Sequence, residues 1–168
     1  MTAELGLEDE SREHLEALAS NRFADLPFQE TWMTSMSLLA EAAGTLRDTS
    51  AAAILYKLLL PYADRVAVSR PEISTGAVAR YLGLLAATIG RADDAERHFV
   101  EAMELNERIG ARSWRTHTQA DFGRLALARG DRARGGRLLG AAHATYRELG
   151  MSAHAVALDE APRDARLG

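Results

Sequence analysis

The sequence predicts an all-α protein built from helix pairs, and three observations support this prediction. The stretches at 83–103 and 123–142 align at an offset of 40 residues. Each stretch contains a glycine suited to the end of one helix, followed by aspartate suited to the start of the next. We find no strand-like alternation that competes with the helical pattern. The chain is therefore expected to stack helix pairs into a short solenoid, in which neighbouring pairs bury each other's apolar faces.

The aligned positions indicate how the helices of a pair contact each other. They pair Gly83 with Gly123, Gly90 with Gly130, Ala95 with Gly135, Phe99 with Leu139, and Ala102 with Ala142. A more degraded copy, at an offset of 43, places Ala40, Ala52, Tyr56 and Leu59 in the same roles. A small residue lets two helices approach closely, and a large apolar residue fills the angle between them. We therefore expect Gly83 and Ala95 to form the contact and Phe99 to act as the wedge.

The predicted elements follow in chain order. They are a capping helix at about 9–20 and three helix pairs, 30–45 with 49–65, 73–89 with 92–109, and 113–129 with 131–149. Loops are expected around Pro27 and Pro71, and Pro61 should kink or end its helix. Gly135 and Gly136 should weaken the last helix, since each glycine costs roughly 0.5–1 kcal/mol relative to alanine. The elements make one domain over 1–160, with repeats at 30–65, 73–109 and 113–149 and a flexible tail at 161–168.

Composition limits the class of protein. The chain has 168 residues, of which 47% are hydrophobic and 26% charged, enough to build a core. It contains no cysteine, which excludes disulfides and thiolate metal sites. An acidic N-terminus without a signal-peptide pattern, and the lack of a long apolar run, predict a cytoplasmic protein that does not enter a membrane. The net charge of -4 argues against general nucleic-acid binding.

Charge is unevenly distributed along the chain. Residues 1–30 carry eight acidic side chains and two arginines, whereas residues 111–150 carry eight arginines and three acidic side chains. The basic segment either attracts an acidic partner or forms a solvated helix face. The sequence leaves both interpretations open.

Catalytic and metal-binding patterns are missing from the sequence. The five histidines form no i, i+4 pair and no H-E-x-x-H motif; they are His14, His98, His117, His143 and His154. The acidic stretch "RADDAE" lacks the spacing of a calcium loop and is better explained by carboxylates at a helix start. We therefore predict no enzyme, no metal and no cofactor.

The repeat resembles the tetratricopeptide repeat, with a period longer than the usual 34 residues. The resemblance lies in a small residue, a second small residue twelve positions on, an aromatic four further and an alanine three further. The segments "FADLP....W", "LLLPYADR" and the long stretch from "GAVARYLG" to "LALARGD" are similar to the C-terminal helical repeats of actinobacterial ATP-binding LuxR-type regulators and related cyclase-like multidomain proteins. This implies a right-handed superhelix acting as a sensor or interaction arm. The chain has no G-x-x-x-x-G-K-[ST] loop and no C-terminal helix-turn-helix, so neither ATP hydrolysis nor DNA binding carries over.

The resemblance also implies which residues line a concave groove, because the first helix of each tetratricopeptide pair faces it. The polar anchors there are Arg80, His117 and Arg124, with Glu41 and Thr88 beside them. Two arginines in a groove can bind a carboxylate or phosphate. Alternatively, they extend into solvent or pair with Glu41 or Asp121. Trp32 and Trp114 are expected to be core residues.

The predicted function is a non-catalytic module of a bacterial regulatory protein, acting in signalling or transcription regulation. The expected partner is a protein or peptide, and the basic segment is compatible with an acidic one. The alternative is a sensing domain whose groove closes over a small anionic effector. If "MSAHAVAL" does not cover the last helix pair, the exposed apolar edge would form a homodimer interface. The chain is either a free-standing regulator or the arm of a larger one.

Overall fold

A computed structural model gives the fold for residues 2–69 and 73–164, with side chains described for 8–69 and 74–159. The described chain is mostly helical, as the sequence predicts. Its elements are α1 (Thr2–Ser20), α2 (Trp32–Thr45), α3 (Thr49–Leu59), a 3-10 turn (Leu60–Tyr62), β1 (Val66–Ser69), β2 (Ile73–Ala77), α4 (Val78–Thr88), α5 (Ala92–Arg108), α6 (Arg112–Ala128), α7 (Arg132–Glu148) and α8 (Ser152–Asp164). The chain divides into two compact units, Met1–Ala102 and Met103–Gly168.

The expectation that no strand is present is wrong. β1 and β2 form an antiparallel hairpin in which Ala67 pairs with Gly76 and Val68 with Ser74. Thr75 is therefore the extra residue of a β-bulge. The next helix begins at Val78 rather than at 73, because residues 73–77 pair with β1 and Gly76 has a φ of 78°, outside the right-handed helical region. The periodic signal of the hairpin is too short to identify, since β1 has only four residues.

Pro61 ends its helix, which confirms that prediction. α3 stops at Leu59 and continues as a 3-10 turn, so the helix is shorter than the predicted 49–65. At the C-terminus, α8 runs to Asp164, and residues 165–168 of the expected flexible tail lie outside the described residues. α8 contributes Ala155 and Leu158 to a buried cluster with Ala120, Ala142 and Tyr146. It therefore covers the apolar edge on which the homodimer expectation depends.

Glycines close successive helices at a spacing of 20 residues. Gly90, Gly110, Gly130 and Gly150 all have positive φ values, between 69° and 84°. Each donates its N–H to the carbonyl three residues back, and the following residue donates to the carbonyl five back, as in a Schellman motif. Helices α5, α6 and α7 each have 17 residues as a result. The offset of 40 in the sequence is thus two helices of equal length.

The same closure occurs at Arg47, without glycine. Arg47 has a φ of 53°, and Asp48 donates its N–H to the carbonyl of Ala43, five residues back. Asp48 then caps α3, accepting hydrogen bonds from the N–H groups of Ser50 and Ala51. Arg47 lies 43 residues before Gly90, so the degraded first copy keeps the turn and loses its glycine.

The small-residue contacts are present in both units. A Cβ built on Gly83 would lie 2.5 Å from the Phe99 ring, and one built on Gly123 would lie 2.8 Å from Leu139. Phe99 is buried, and so are Ala95 and Ala102. The expected roles of Gly83 as contact and Phe99 as wedge are therefore confirmed. Trp32 is also buried as predicted, whereas Trp114 is only half-buried.

Candidate functional site

A buried arginine connects α2 to α4 in the first unit. Arg80 Nη1 donates to Glu41 Oε1 at 2.7 Å, and the two side chains are 8% and 40% exposed. Arg80 lies in the first turn of α4, directly after the hairpin, which fixes its position against α2. A buried guanidinium needs a charged partner, because desolvation of an unpaired charge is costly. Glu41 supplies that charge from the solvent side of the pair.

Tyr81 extends the polar contacts inward from this ion pair. Its hydroxyl donates to the backbone carbonyl of Thr75 at 2.6 Å, and the Arg80 guanidinium lies 5.2 Å from its ring centre. Burial raises the pKa of the Tyr81 hydroxyl above its usual value, against the opposing effects of the Arg80 charge and the hydrogen bond with Thr75. Glu41, Arg80, Tyr81 and Thr75 thus form one connected set, here named the polar seam.

Within the polar seam, the Thr75 hydroxyl is the group whose hydrogen bonding is least satisfied. It is 6% exposed, and its Oγ1 atom has no hydrogen-bond partner among the residues that the structure describes. An orphaned buried hydroxyl normally binds water or a ligand group. The β-bulge places it there, because the bulge takes Thr75 out of the regular strand pairing.

Thr88 lies on the same helix as Arg80, two turns further on. Its Oγ1 donates to the carbonyl of Leu84 at 2.9 Å, and a Cβ built on Gly44 would lie 3.7 Å from that Oγ1. Thr88 therefore marks the close approach of α4 to α2 rather than a free polar contact. The pairs Glu41 with Arg80 and Gly44 with Thr88 progress in the same direction along both helices, so α2 and α4 run in the same general direction.

His117 lies in an aromatic cluster of the second unit. Its ring is 4.8 Å from His154, 5.3 Å from Tyr146 and 5.1 Å from Trp114, measured between ring centres. The Tyr146 hydroxyl lies 2.8 Å from His117 Nδ1. These contacts join α6 to α7 and α8, so His117 takes part in the packing of the second unit.

Arg124, on α6, pairs with Asp121 on the same helix. Arg124 Nη1 donates to Asp121 Oδ1 at 3.0 Å, and the arginine side chain is 49% exposed. Both predicted groove arginines thus have the carboxylate partners that the sequence offers as the alternative to ligand binding. The structure pairs Glu41 with Arg80, places Thr88 two turns further along α4 beside Gly44, and places His117 and Arg124 two turns apart on α6.

Another buried polar contact joins α3 to α5 within the first unit. The Tyr56 hydroxyl lies 3.0 Å from His98 Nε2, and His98 Nδ1 lies 3.0 Å from Glu101 Oε2. His98 and Tyr56 are both buried. The order phenol, imidazole, carboxylate is one that catalysis can use, but here the phenol and the imidazole are both buried. We interpret the contact as a structural tie between the two helices.

Sequence reasoning missed Tyr81 and Thr75 as members of the site. Tyr81 follows Arg80 directly, and its predicted core position is correct, but its hydroxyl contact depends on the hairpin. Thr75 gave no signal, because the helix was expected to include it. Only a correct prediction of the bulge would have placed it near Tyr81.

The described residues define a mostly helical protein with a buried ion pair in one unit and an aromatic cluster in the other. Within the described ranges, no group of three or more His, Asp or Glu residues is placed to hold a metal ion. No helix in this part of the chain is long and apolar enough to cross a bilayer. Comparisons with protein-family models, curated proteins and solved structures find no match to this chain.

Proposed function

We propose that this chain is a non-catalytic helical-repeat module of a bacterial regulatory protein and that it binds an acidic protein or peptide partner. The repeated small-residue contacts, Gly83 with Phe99 and Gly123 with Leu139, support the helical-repeat part of the proposal. The common direction of α2 and α4 supports it as well, since first helices of successive pairs run in the same direction in such a stack.

The observation that carries the partner assignment is the solvent-facing side of α7. Arg132, Arg137 and Arg147 are exposed, and their side chains have no hydrogen-bond or ion-pair partner among the described residues. The neighbouring exposed positions on this side are small: Ala133, Gly136, Gly140 and Ala144. We name this side the α7 basic face. Arginines that stand among small residues can reach the carboxylates of a partner without obstruction, and their charge steers an acidic partner toward them.

The experiment compares two charge-reversed variants with matched net charge. In Arg137→Glu/Arg147→Glu the α7 basic face is reversed, whereas Arg65→Glu/Arg108→Glu reverses two exposed arginines elsewhere. Each immobilised variant is exposed to lysate of the source organism, and bound proteins are identified by mass spectrometry. We expect an acidic protein retained by wild type and by the control variant, lost from the α7 variant, and released as ionic strength rises. Equal retention by both variants would contradict the assignment of the α7 basic face.

A second candidate function is sensing of a small anionic effector, and the buried Arg80 is the observation that favours it. A buried guanidinium is a strong and specific anion-binding group. A ligand that binds the native state raises its thermal stability by mass action. Thermal unfolding measured with panels of carboxylates and phosphates therefore tests this candidate independently of any protein partner.

A further inference from the structure

We propose that copies of this chain associate head to tail, with the α7 basic face of one copy bound to an acidic face of helix α1 on the next. This inference rests on the proposed function and names the partner, since the acidic protein that the α7 basic face binds is then a second copy of the chain. It is carried by the charge complementarity of two exposed helix faces that every copy presents.

The acidic face belongs to α1. Asp9, Glu13 and Glu16 recur at helical spacing and so lie on one side of this helix. Leu15, which is 2% exposed, lies on the other side and anchors α1 to the first unit. The three carboxylates are exposed, and none has a hydrogen-bond or ion-pair partner among the described residues. We name this side the α1 acidic face.

Positive charge on α1 does not neutralise this face. Arg12 is the only arginine or lysine in the sequence of α1. Its guanidinium donates to the backbone carbonyl of Leu46 at 3.4 Å, which holds it toward the first unit and away from the three carboxylates. The α1 acidic face therefore presents a net negative charge to any protein that approaches it.

The shape of the α7 basic face suits an incoming helix. Ala133, Gly140 and Ala144 form an exposed stripe along α7, and nothing lies within 4 Å of a Cβ built on Gly140. The helical period places Arg137 on one side of this stripe and Arg147 on the other. Because small side chains let two helices approach closely, a helix that lies along the stripe meets an arginine on each side.

The two faces also have comparable lengths. From Asp9 to Glu16 the helix rises about 10 Å, and from Arg137 to Arg147 it rises about 15 Å, at 1.5 Å per residue. The long arginine side chains span the difference. Each ion pair would remain partly hydrated and would contribute little by itself, so the association should be weak and sensitive to ionic strength.

Head-to-tail contact has a consequence for the size of the assembly. Two associated copies leave one α1 acidic face and one α7 basic face unused. Further copies can add at both, so association continues beyond two copies unless the series closes into a ring.

Sedimentation of the purified chain at increasing protein concentration tests the proposal. We expect the average mass to rise with concentration at about 0.01 M ionic strength and to return to the monomer value near roughly 1 M. Asp9→Lys/Glu13→Lys and Arg137→Glu/Arg147→Glu should each abolish the rise. A chain carrying all four changes should regain it, because both faces are then reversed and attract each other again.

Two control variants match these changes in net charge. Asp64→Lys/Glu104→Lys and Lys57→Glu/Arg65→Glu reverse exposed side chains outside both faces and should associate like wild type. Loss of association in the controls as well would show a general charge effect and overturn the proposal. A wild-type chain that stays monomeric at low ionic strength would overturn it, and so would a fourfold variant that stays monomeric while wild type associates.

The lysate experiment separates this inference from the proposed function. If a different acidic protein depends on the α7 basic face while the purified chain is monomeric, the interaction module stands and head-to-tail association does not. Self-association that requires both faces supports the inference whether or not a further protein is retained. Absence of both retention and self-association would remove both proposals.

Discussion

Two helix contacts, one in each unit, follow the same pattern with different side chains. In the first unit Gly83 meets Phe99, and in the second unit Gly123 meets Leu139. In both, a glycine leaves no room for a Cβ, because the partner side chain would lie within 3 Å of it. Phe99 is 1% exposed, whereas Leu139 is only half-buried. The repeat therefore preserves the space at the glycine, and the size of the filling residue sets how much apolar surface each unit buries there.

The largest expected effect is the loss of Phe99, which tests whether the first contact is the stronger one. Phe99→Ala should reduce the free energy of unfolding by about 3–5 kcal/mol, because a fully buried ring leaves a cavity. Leu139→Ala should cost less, roughly 1–2 kcal/mol, since its side chain is partly hydrated already. Chemical denaturation of both variants measures the difference. Equal losses of unfolding free energy would show that the two contacts contribute equally to stability despite their different burial.

Two adjacent glycines of α7 extend the comparison. Substitution by alanine is expected to lower stability at one of them and to raise it at the other. A Cβ on Gly135 would lie 2.5 Å from Leu127 and 3.0 Å from the carbonyl oxygen of Gly123, whereas nothing lies within 4 Å of one on Gly136. Gly135→Ala should therefore destabilise by about 1–3 kcal/mol. Gly136→Ala should stabilise by roughly 0.5–1 kcal/mol through helix propensity. Thermal unfolding distinguishes the two, and stabilisation by both would show that the helices are not in close contact at Gly135.

The Tyr81 hydroxyl of the polar seam should make the stability of the first unit depend on pH in the alkaline range. Tyr81→Phe should cost about 0.5–1.5 kcal/mol at neutral pH, the net value of its hydrogen bond to Thr75. Burial raises the pKa of Tyr81, so the folded state favours the neutral phenol. This contribution is complete below pH 10 and is lost as pH rises through the raised pKa. Wild type should lose more stability than Tyr81→Phe above pH 10. Tyr62→Phe, at a half-buried tyrosine of the same unit, controls for the loss of a phenol, and parallel curves for all three proteins would contradict the effect.

The smallest expected effect concerns the turn that lacks glycine. Arg47 has a φ of 53°, a conformation in which a side chain costs about 1–2 kcal/mol. Glycine removes that strain and adds some entropy cost, so Arg47→Gly should stabilise by roughly 0.5 kcal/mol. The reciprocal change, Gly90→Arg, should destabilise by about 1 kcal/mol, since the space there is open and only φ is unfavourable. Destabilisation by Arg47→Gly would show that the arginine side chain contributes more than its strain costs.

Several features of the fold follow from local sequence alone. The glycines at 90, 110, 130 and 150 end helices because each adopts a positive φ, and Pro61 ends α3 because it cannot donate an N–H within a helix. The pairing of Gly83 with Phe99 follows from the spacing of small and large residues in the repeat. Such signals are readable because they express short-range sterics and a fixed helical period.

The candidate site was only partly predictable. Arg80 and Glu41 were identified as groove residues, and their pairing was already one of the alternatives. The unequal exposure of the two side chains depends on how α2 and α4 pack. The sequence does not identify Thr75 as a site residue, because the hairpin that contains it is too short to show a recognisable alternation of polar and apolar residues.

The sequence by itself determined the helical class, the turns that end the helices and the small-residue positions where helices meet, because backbone sterics and side-chain size act locally. Tertiary structure decided that residues 73–77 form a strand, that Gly135 has no room for a methyl group while Gly136 does, and that Arg80 is buried while Arg124 is not. The reason is physical: burial, desolvation and close packing depend on which distant segments meet, and two residues with the same local sequence signal can meet different neighbours.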